Sequence, residues 1–150
     1  MGRIRKNIDI DGHNCWTLFD SGARNTYIVK DIAVNLPMFT LKQRQLVSLG
    51  GRSHNVINDC RLECMIDSFY ILAHARVLEE IGVDEHGKRI EVLIGALTMQ
   101  EWGIRLNMEE EKSQKQIAQQ GHHEHQVQAP RTPHPGPGDR HQDVSYELAR

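Results

Sequence analysis

The sequence predicts a mainly β domain with one short helix. Two observations carry that expectation. Short apolar runs with β-branched and aromatic residues recur along the first three quarters of the chain, and Asp-Gly, Gly-Gly and Asp-Ser pairs stand between them. The segment NIDIDGHNCWTLFD is read as two extended runs joined at Asp11-Gly12, a pair suited to the positive-φ positions of a tight hairpin turn. That hairpin delivers Asp20 at a strand end. QLVSLGGRSHNVI repeats the pattern with a turn at Gly50-Gly51, and CRLECMIDSFYILAHARVL gives two further strands around Asp67-Ser68. VDEHGKR at 83-89 is a polar turn containing Gly87, IEVLIG is another apolar strand, and ALTMQEWGI is a short helix ended by Gly103. A last strand, IRLNME, is expected to close the domain.

The chain has 150 residues and is 39% hydrophobic, enough for one domain with a real core once its polar end is set aside. From Ser113 onward lie four of the five prolines and five of the nine histidines, with Tyr146 as the one aromatic residue. Such a segment buries too little apolar area to offset its ordering entropy, so 1-112 is expected to fold and 113-150 to be a disordered Gln/His/Pro-rich tail. The HHEH stretch at 122-125 offers imidazoles to a metal but no preset ligand geometry, and no metal site or cofactor is assigned. The 18 basic and 20 acidic residues are interspersed, which argues against nucleic acid as a partner. MGRIRKNIDID lacks an apolar signal core and no stretch is long and apolar enough to span a bilayer, so no membrane association and a cytoplasmic setting are expected. Cys15, Cys60 and Cys64 are read as free thiols of a reducing compartment. Cys60 and Cys64 share one strand face, and the scattered His13, His54, His74 and His86 have no serine or cysteine nucleophile beside them. Trp16 and Trp102 are read as packing residues.

Chemistry is concentrated in TLFDSGARNTYI, where an acid follows an apolar strand and is itself followed by a hydroxyl residue, a glycine and an alanine. Burying a lone carboxylate is costly. Two carboxylates held a few ångströms apart share one proton, so that one acts as base and the other as acid. Ser21 supplies a hydroxyl able to hydrogen-bond across a symmetric interface, and Gly22 lets backbone and peptide approach closely. A bare Asp-Ser-Gly-Ala string is also common in surface turns. Here it is entered by Leu18-Phe19, left through Tyr27-Ile28-Val29, followed about 30 residues later by a glycine turn, and then by VLIGALTMQEWGI.

This ordered set, spanning roughly residues 4-110, resembles the retropepsin-like aspartic proteases. The resemblance implies an acid-protease fold: a closed or partly open β-barrel with a flap hairpin, one short C-terminal helix and a homodimeric assembly. By resemblance Asp20 is the catalytic acid/base, Ser21 the hydroxyl bracing the active-site loops, and Gly22 and Ala23 line the substrate backbone. Arg24, Asn25, Leu49, Gly50 and Gly51 complete the expected substrate-binding set, with a flap at about 46-58. Leu93-Ile94-Gly95 corresponds to the later apolar-apolar-Gly motif and Ala96-Gly103 to its helix. Three departures stand out. Arg24-Asn25 replaces the acidic residues many retroviral members carry, Leu97 stands where Asp or Asn is frequent, and VDEHGKRIE is an insertion read as a surface hairpin.

Only one Asp-Ser-Gly occurs, so the pair requires a second copy, unlike two-lobed pepsin-like chains. The expected function is an aspartic endopeptidase acting on a peptide or protein substrate in extended form, with Leu49, Ile57 and Ile94 favouring apolar side chains. The alternatives are a catalytically silent dimerisation or peptide-binding module of the same fold, and an interaction protein working through its tail.

Overall fold

Turn residues set the first pairing. Asp11 and Gly12 take φ of 52° and 82°, both positive as a two-residue hairpin with the native twist requires. They fold β1 (Arg3–Ile10) antiparallel onto β2 (His13–Asp20), with Arg3 opposite Asp20 and Ile10 opposite His13. β3 (Tyr27–Val29) and a single helical turn, α1 (Lys30–Ala33), follow. The long β4 (Met38–Leu49) and β5 (Arg52–Ile66) turn at Gly50 and Gly51, whose φ values are 58° and 77°. Asp67 and Ser68 turn β5 into β6 (Phe69–Leu78), again with positive φ. A small hairpin of β7 (Gly82–Val83) and β8 (Arg89–Ile90) precedes β9 (Val92–Ile94) and α2 (Ala96–Trp102), which Gly103 ends at φ 68°. This computed structural model describes residues 2–107 and 109; the expected tail at 113-150 and its HHEH stretch lie outside the described residues.

The main sheet runs β1-β2-β9-β3-β6-β5-β4, and a further pairing of β1 with β5 at Asp9 and Met65 closes it into a ring with β4 outside. Alternate side chains point inward and fill the ring: Ile4, Ile8, Phe19, Ile28, Leu62, Ile71 and Ile94 are essentially inaccessible. A second cluster of Trp16, Leu18, Tyr27, Val56, Leu78 and Leu93 lies on the outer side, and Leu41, Val47 and Leu49 of the hairpin pack against it. The β4–β5 hairpin is therefore seated on the barrel at Val56 while its tip extends beyond it.

The insertion at 83-91 is the surface hairpin the sequence suggests, and it is tied down. One carboxylate oxygen of Asp84 accepts the N–H groups of His86 and Lys88, and the other accepts Trp16 Nε1 at 2.8 Å. Lys88 lies 3.8 Å over the Trp16 ring. Trp102 is likewise a packing residue, its Nε1 donating to Leu72 O.

One expectation needs correcting. Residues 104–107 form no strand. Directly after α2 this segment packs Ile104 and Leu106 against the core and sends the Ile104 N–H to Met99 O. The hairpin that contains 46-58 is the upper part of two longer strands, β4 from Met38 and β5 to Ile66, and its ladder, from Gln45 opposite Val56 to Leu49 opposite Arg52, is set off by a register break below Gln45. All three cysteines are free and buried, and burial pushes the Cys15 thiol up to about 11 and those of Cys60 and Cys64 to about 12. They are core residues rather than nucleophiles.

Candidate active site

β9 lies between β2 and β3, parallel to the first and antiparallel to the second. The loop joining β2 to β3 must therefore cross the end of β9, and the crossing point is Gly95. A Cβ there would sit 2.2 Å from Asn25 O and 2.8 Å from Arg24 O, so only glycine fits. Immediately beyond, α2 begins without a side-chain cap. Its first amides are satisfied by the loop instead: Ala96 N–H donates to Ala23 O at 2.7 Å and Leu97 N–H to Arg24 O at 3.1 Å. The buried Thr26 hydroxyl accepts Gly95 N–H at 3.2 Å and meets the Thr98 hydroxyl at 2.7 Å. Apolar-apolar-Gly followed by a helix is thus a clamp on the Asp20 loop. The Leu97 side chain, where an acid or amide is frequent in the family it resembles, is half exposed and takes no part, because the backbone amides hold the loop.

Asp20 ends β2 and is only 6% exposed. Oδ1 accepts Gly22 N–H at 2.8 Å, Oδ2 lies 3.2 Å from Arg3 Nε, and the turn closes with Ala23 N–H donating to Asp20 O at 3.1 Å. The carboxylate is thus fixed in orientation from both sides. It opens onto a cleft of about 390 Å³. Gly22, Ala23, Arg24 and Asn25 form the cleft floor with Asp20, while Val47, Ser48, Leu49 and Gly50 reach it from the hairpin and Arg3 and Tyr27 from its sides.

Most residues singled out from sequence therefore meet in one place: Asp20, Gly22, Ala23, Arg24, Asn25, Leu49 and Gly50 all line the cleft. Ser21 and Gly51 do not. The Ser21 hydroxyl accepts Gly2 N–H at 2.8 Å and lies 3.2 Å from Gly2 O, tying the loop to the start of its own chain. Ile57 is on the outer side of the hairpin, half exposed, and Ile94 is sealed in the core, so the apolar-substrate expectation drawn from them loses two of its three residues. Arg3, Tyr27, Val47 and Ser48 line the cleft without having been named as site residues from the sequence, and Arg3 is the one that touches Asp20. Counting back along the hairpin from Asp11-Gly12 puts Arg3 opposite Asp20, a signal already present in the sequence. Among the described residues no cluster of His, Cys, Asp and Glu is arranged to hold a metal ion, and no helix is long and apolar enough to cross a membrane.

No protein-family model and no curated protein sequence matches the chain. Solved structures do. The retroviral protease-like domain of Ddi1 from Leishmania major superposes with a TM-score of 0.53 over 73% of this chain and 85% of that one, at 14% identity. The EIAV protease complexed with the inhibitor HBY-793 aligns over 71% of this chain and 93% of that one, at 17% identity and a TM-score of 0.46. At such identities the likeness speaks for architecture alone, and on the first of these superpositions the ring of strands with its short helix has the retropepsin-like fold.

Proposed function

We propose that the chain is one subunit of an aspartic endopeptidase in which Asp20 from each of two copies forms the reacting pair. The observation that carries this reading is the setting of Asp20: a nearly buried carboxylate at the end of an apolar strand, oriented by Gly22 N–H and opening onto a peptide-sized cleft beneath a hairpin tip. In the pair, two carboxyl groups share one proton. The ionised one takes a proton from a water molecule, which attacks the peptide carbonyl, while the protonated one donates to the carbonyl oxygen and the departing amine collects a proton as the C–N bond breaks. The extended substrate lies between floor and hairpin, which acts as a flap, with alternate side chains directed to either side. Activity peaks at acidic to mildly acidic pH because the pair works half-protonated. A cytoplasmic setting suits the three buried free thiols.

A second reading has its own observation. In a single chain Arg3 occupies Asp20 Oδ2 and Gly2 occupies the Ser21 hydroxyl, contacts that suit a catalytically silent dimerisation or peptide-binding module. Cleavage of a mixed peptide library at pH 4 to 7 by wild type and Asp20→Asn, with sedimentation on both, separates the two. Cutting by the wild type alone, with both proteins equally dimeric, supports the endopeptidase; folded dimers that bind but never cut support the module.

A further inference from the structure

The cleft is basic although the chain is not. The whole sequence carries a net charge of -2, yet 38–58, which includes the entire upper part of the hairpin, holds Lys42, Arg44, Arg52 and His54 and no acid. Register shows which of these face inward. Arg52 is directly opposite Leu49, and His54 opposite Val47, and residues paired across a ladder share a face. Leu49 and Val47 line the cleft and pack on the barrel, so Arg52 and His54 lie on the cleft side. From the floor, Arg24 lines the cleft with an exposed side chain, and no ion pair engages it among the described residues. The acid that lines the same cleft, Asp20, is already compensated by Arg3. Two guanidinium groups, of Arg3 and Arg24, thus line a space containing one carboxylate, Arg52 stands on the cleft-facing side of the hairpin by register, and His54 Nε2 is buried without a hydrogen-bond partner among the described residues.

We infer that this cleft selects acidic peptides, with Arg24 on the floor and Arg52 at the hairpin tip taking Asp or Glu side chains that flank the segment lying over Asp20. The inference rests on the cleft being a peptide site, as proposed above, and names the class of peptide. A guanidinium offers two parallel N–H groups to a carboxylate, a geometric match as well as a charge. Clefts bounded by low-dielectric walls focus such a field, so the preference appears both in affinity and in association rate. A peptide rich in Lys or Arg meets the same groups as repulsion, which sharpens the discrimination.

The test uses two synthetic peptide libraries with identical apolar positions, one carrying Asp and Glu at the flanks and the other Lys and Arg. Binding is followed by fluorescence anisotropy with the full chain as wild type, Asp20→Asn, Arg24→Glu and Arg24→Glu/Arg52→Glu, and cleavage is run in parallel. The acid-rich library should bind wild type and Asp20→Asn alike at least ~10-fold more tightly than the base-rich one at low salt, with the gap narrowing as ionic strength rises. Arg24→Glu should remove the gap and the double variant reverse it, with melting temperatures unchanged because both side chains are exposed. Equal binding of the two libraries, or a preference for acid that survives the double variant, overturns the inference. Binding is read independently of turnover: charge-selective binding without cleavage contradicts the endopeptidase reading alone, and cleavage blind to charge contradicts this inference alone.

Discussion

Floor and roof of the cleft are built by opposite means. On the floor, the loop from Asp20 to Thr26 is held by buried hydrogen bonds from Thr26 to Gly95 and Thr98 and by backbone bonds from Ala96 and Leu97, and one of its carbonyls lies where a Cβ at position 95 would be. The roof is a two-stranded ribbon whose outer strand has no further neighbour in the sheet among the described residues and whose residues are mostly exposed. Its register slips between Thr40 and Gln45, and beyond Val56 its tip is held by its own ladder and by Val47 and Leu49 on the barrel. The difference teaches a division of labour. Under the proposed function the division has a reason: a reacting carboxylate needs its position fixed to a fraction of an ångström, whereas a surface closing on different peptides needs to give.

The contrast predicts a graded response to substitution. Gly95→Ala should be the most damaging change, since backbone must move to admit the methyl group; a loss of about 3 kcal/mol or more is expected in denaturant titration, and a loss below 1 kcal/mol would mean the crossing is loosely packed. Thr26→Val comes next. It leaves the buried Gly95 N–H and Thr98 hydroxyl unpaired, at a cost of about 1–3 kcal/mol by the same measurement. On the roof, Gly51→Ala meets no neighbouring atom but forces an L-residue to φ 77°, so the cost should be about 1–2 kcal/mol of strain, seen as faster hydrogen exchange confined to the hairpin.

The smallest effect concerns the seam between the two regions. Asp59 sits where β5 passes from β4 to β6, opposite Phe39 on one side and Arg76 on the other. Burial holds its carboxyl above the ordinary carboxylate range, in spite of the nearby Arg76 and His74, and its Oδ1 lacks a hydrogen bond. The folded chain therefore keeps this proton more firmly than the unfolded chain does. The resulting stability is complete below the unfolded carboxylate value of ~4 and is lost as pH rises through the higher folded value. Asp59→Asn should flatten that downward slope in a melting-temperature series against pH; an unchanged slope would mean that other groups carry it.

How much of this was legible beforehand follows from which signals are local. Asp11-Gly12, Gly50-Gly51 and Asp67-Ser68 announce their hairpins because positive φ at two successive positions is a backbone demand met by few residue pairs. Asp20, Gly22 and Leu93-Ile94-Gly95 were legible as an ordered motif. The first half of β4 was not, because MFTLKQRQ is exposed along nearly its whole length and has no buried face to impose alternation. The expected strand at IRLNME failed for a complementary reason: its residues are suited to extension, but directly after α2 Ile104 and Leu106 are drawn onto the core and the Ile104 N–H is taken by Met99 O, so among the described residues the segment joins no ladder. Arg3 could have been placed by register alone, while the clamp of Thr26 on Thr98 joins residues far apart in sequence and becomes visible only when β9 is known to lie between β2 and β3.

The claim at the centre of this account is that Asp20 works as a pair drawn from two copies, and a mixing titration addresses it most directly. Asp20→Asn chain is added in rising proportion to a fixed total of protein under conditions that allow subunit exchange, and peptide cleavage is followed with sedimentation as a check on assembly. With two Asp20 carboxylates required per site, activity should fall with the square of the wild-type fraction, to about one quarter at an equal mixture. A linear fall to about one half would contradict the account, because it would mean that each chain cuts with its own Asp20 alone.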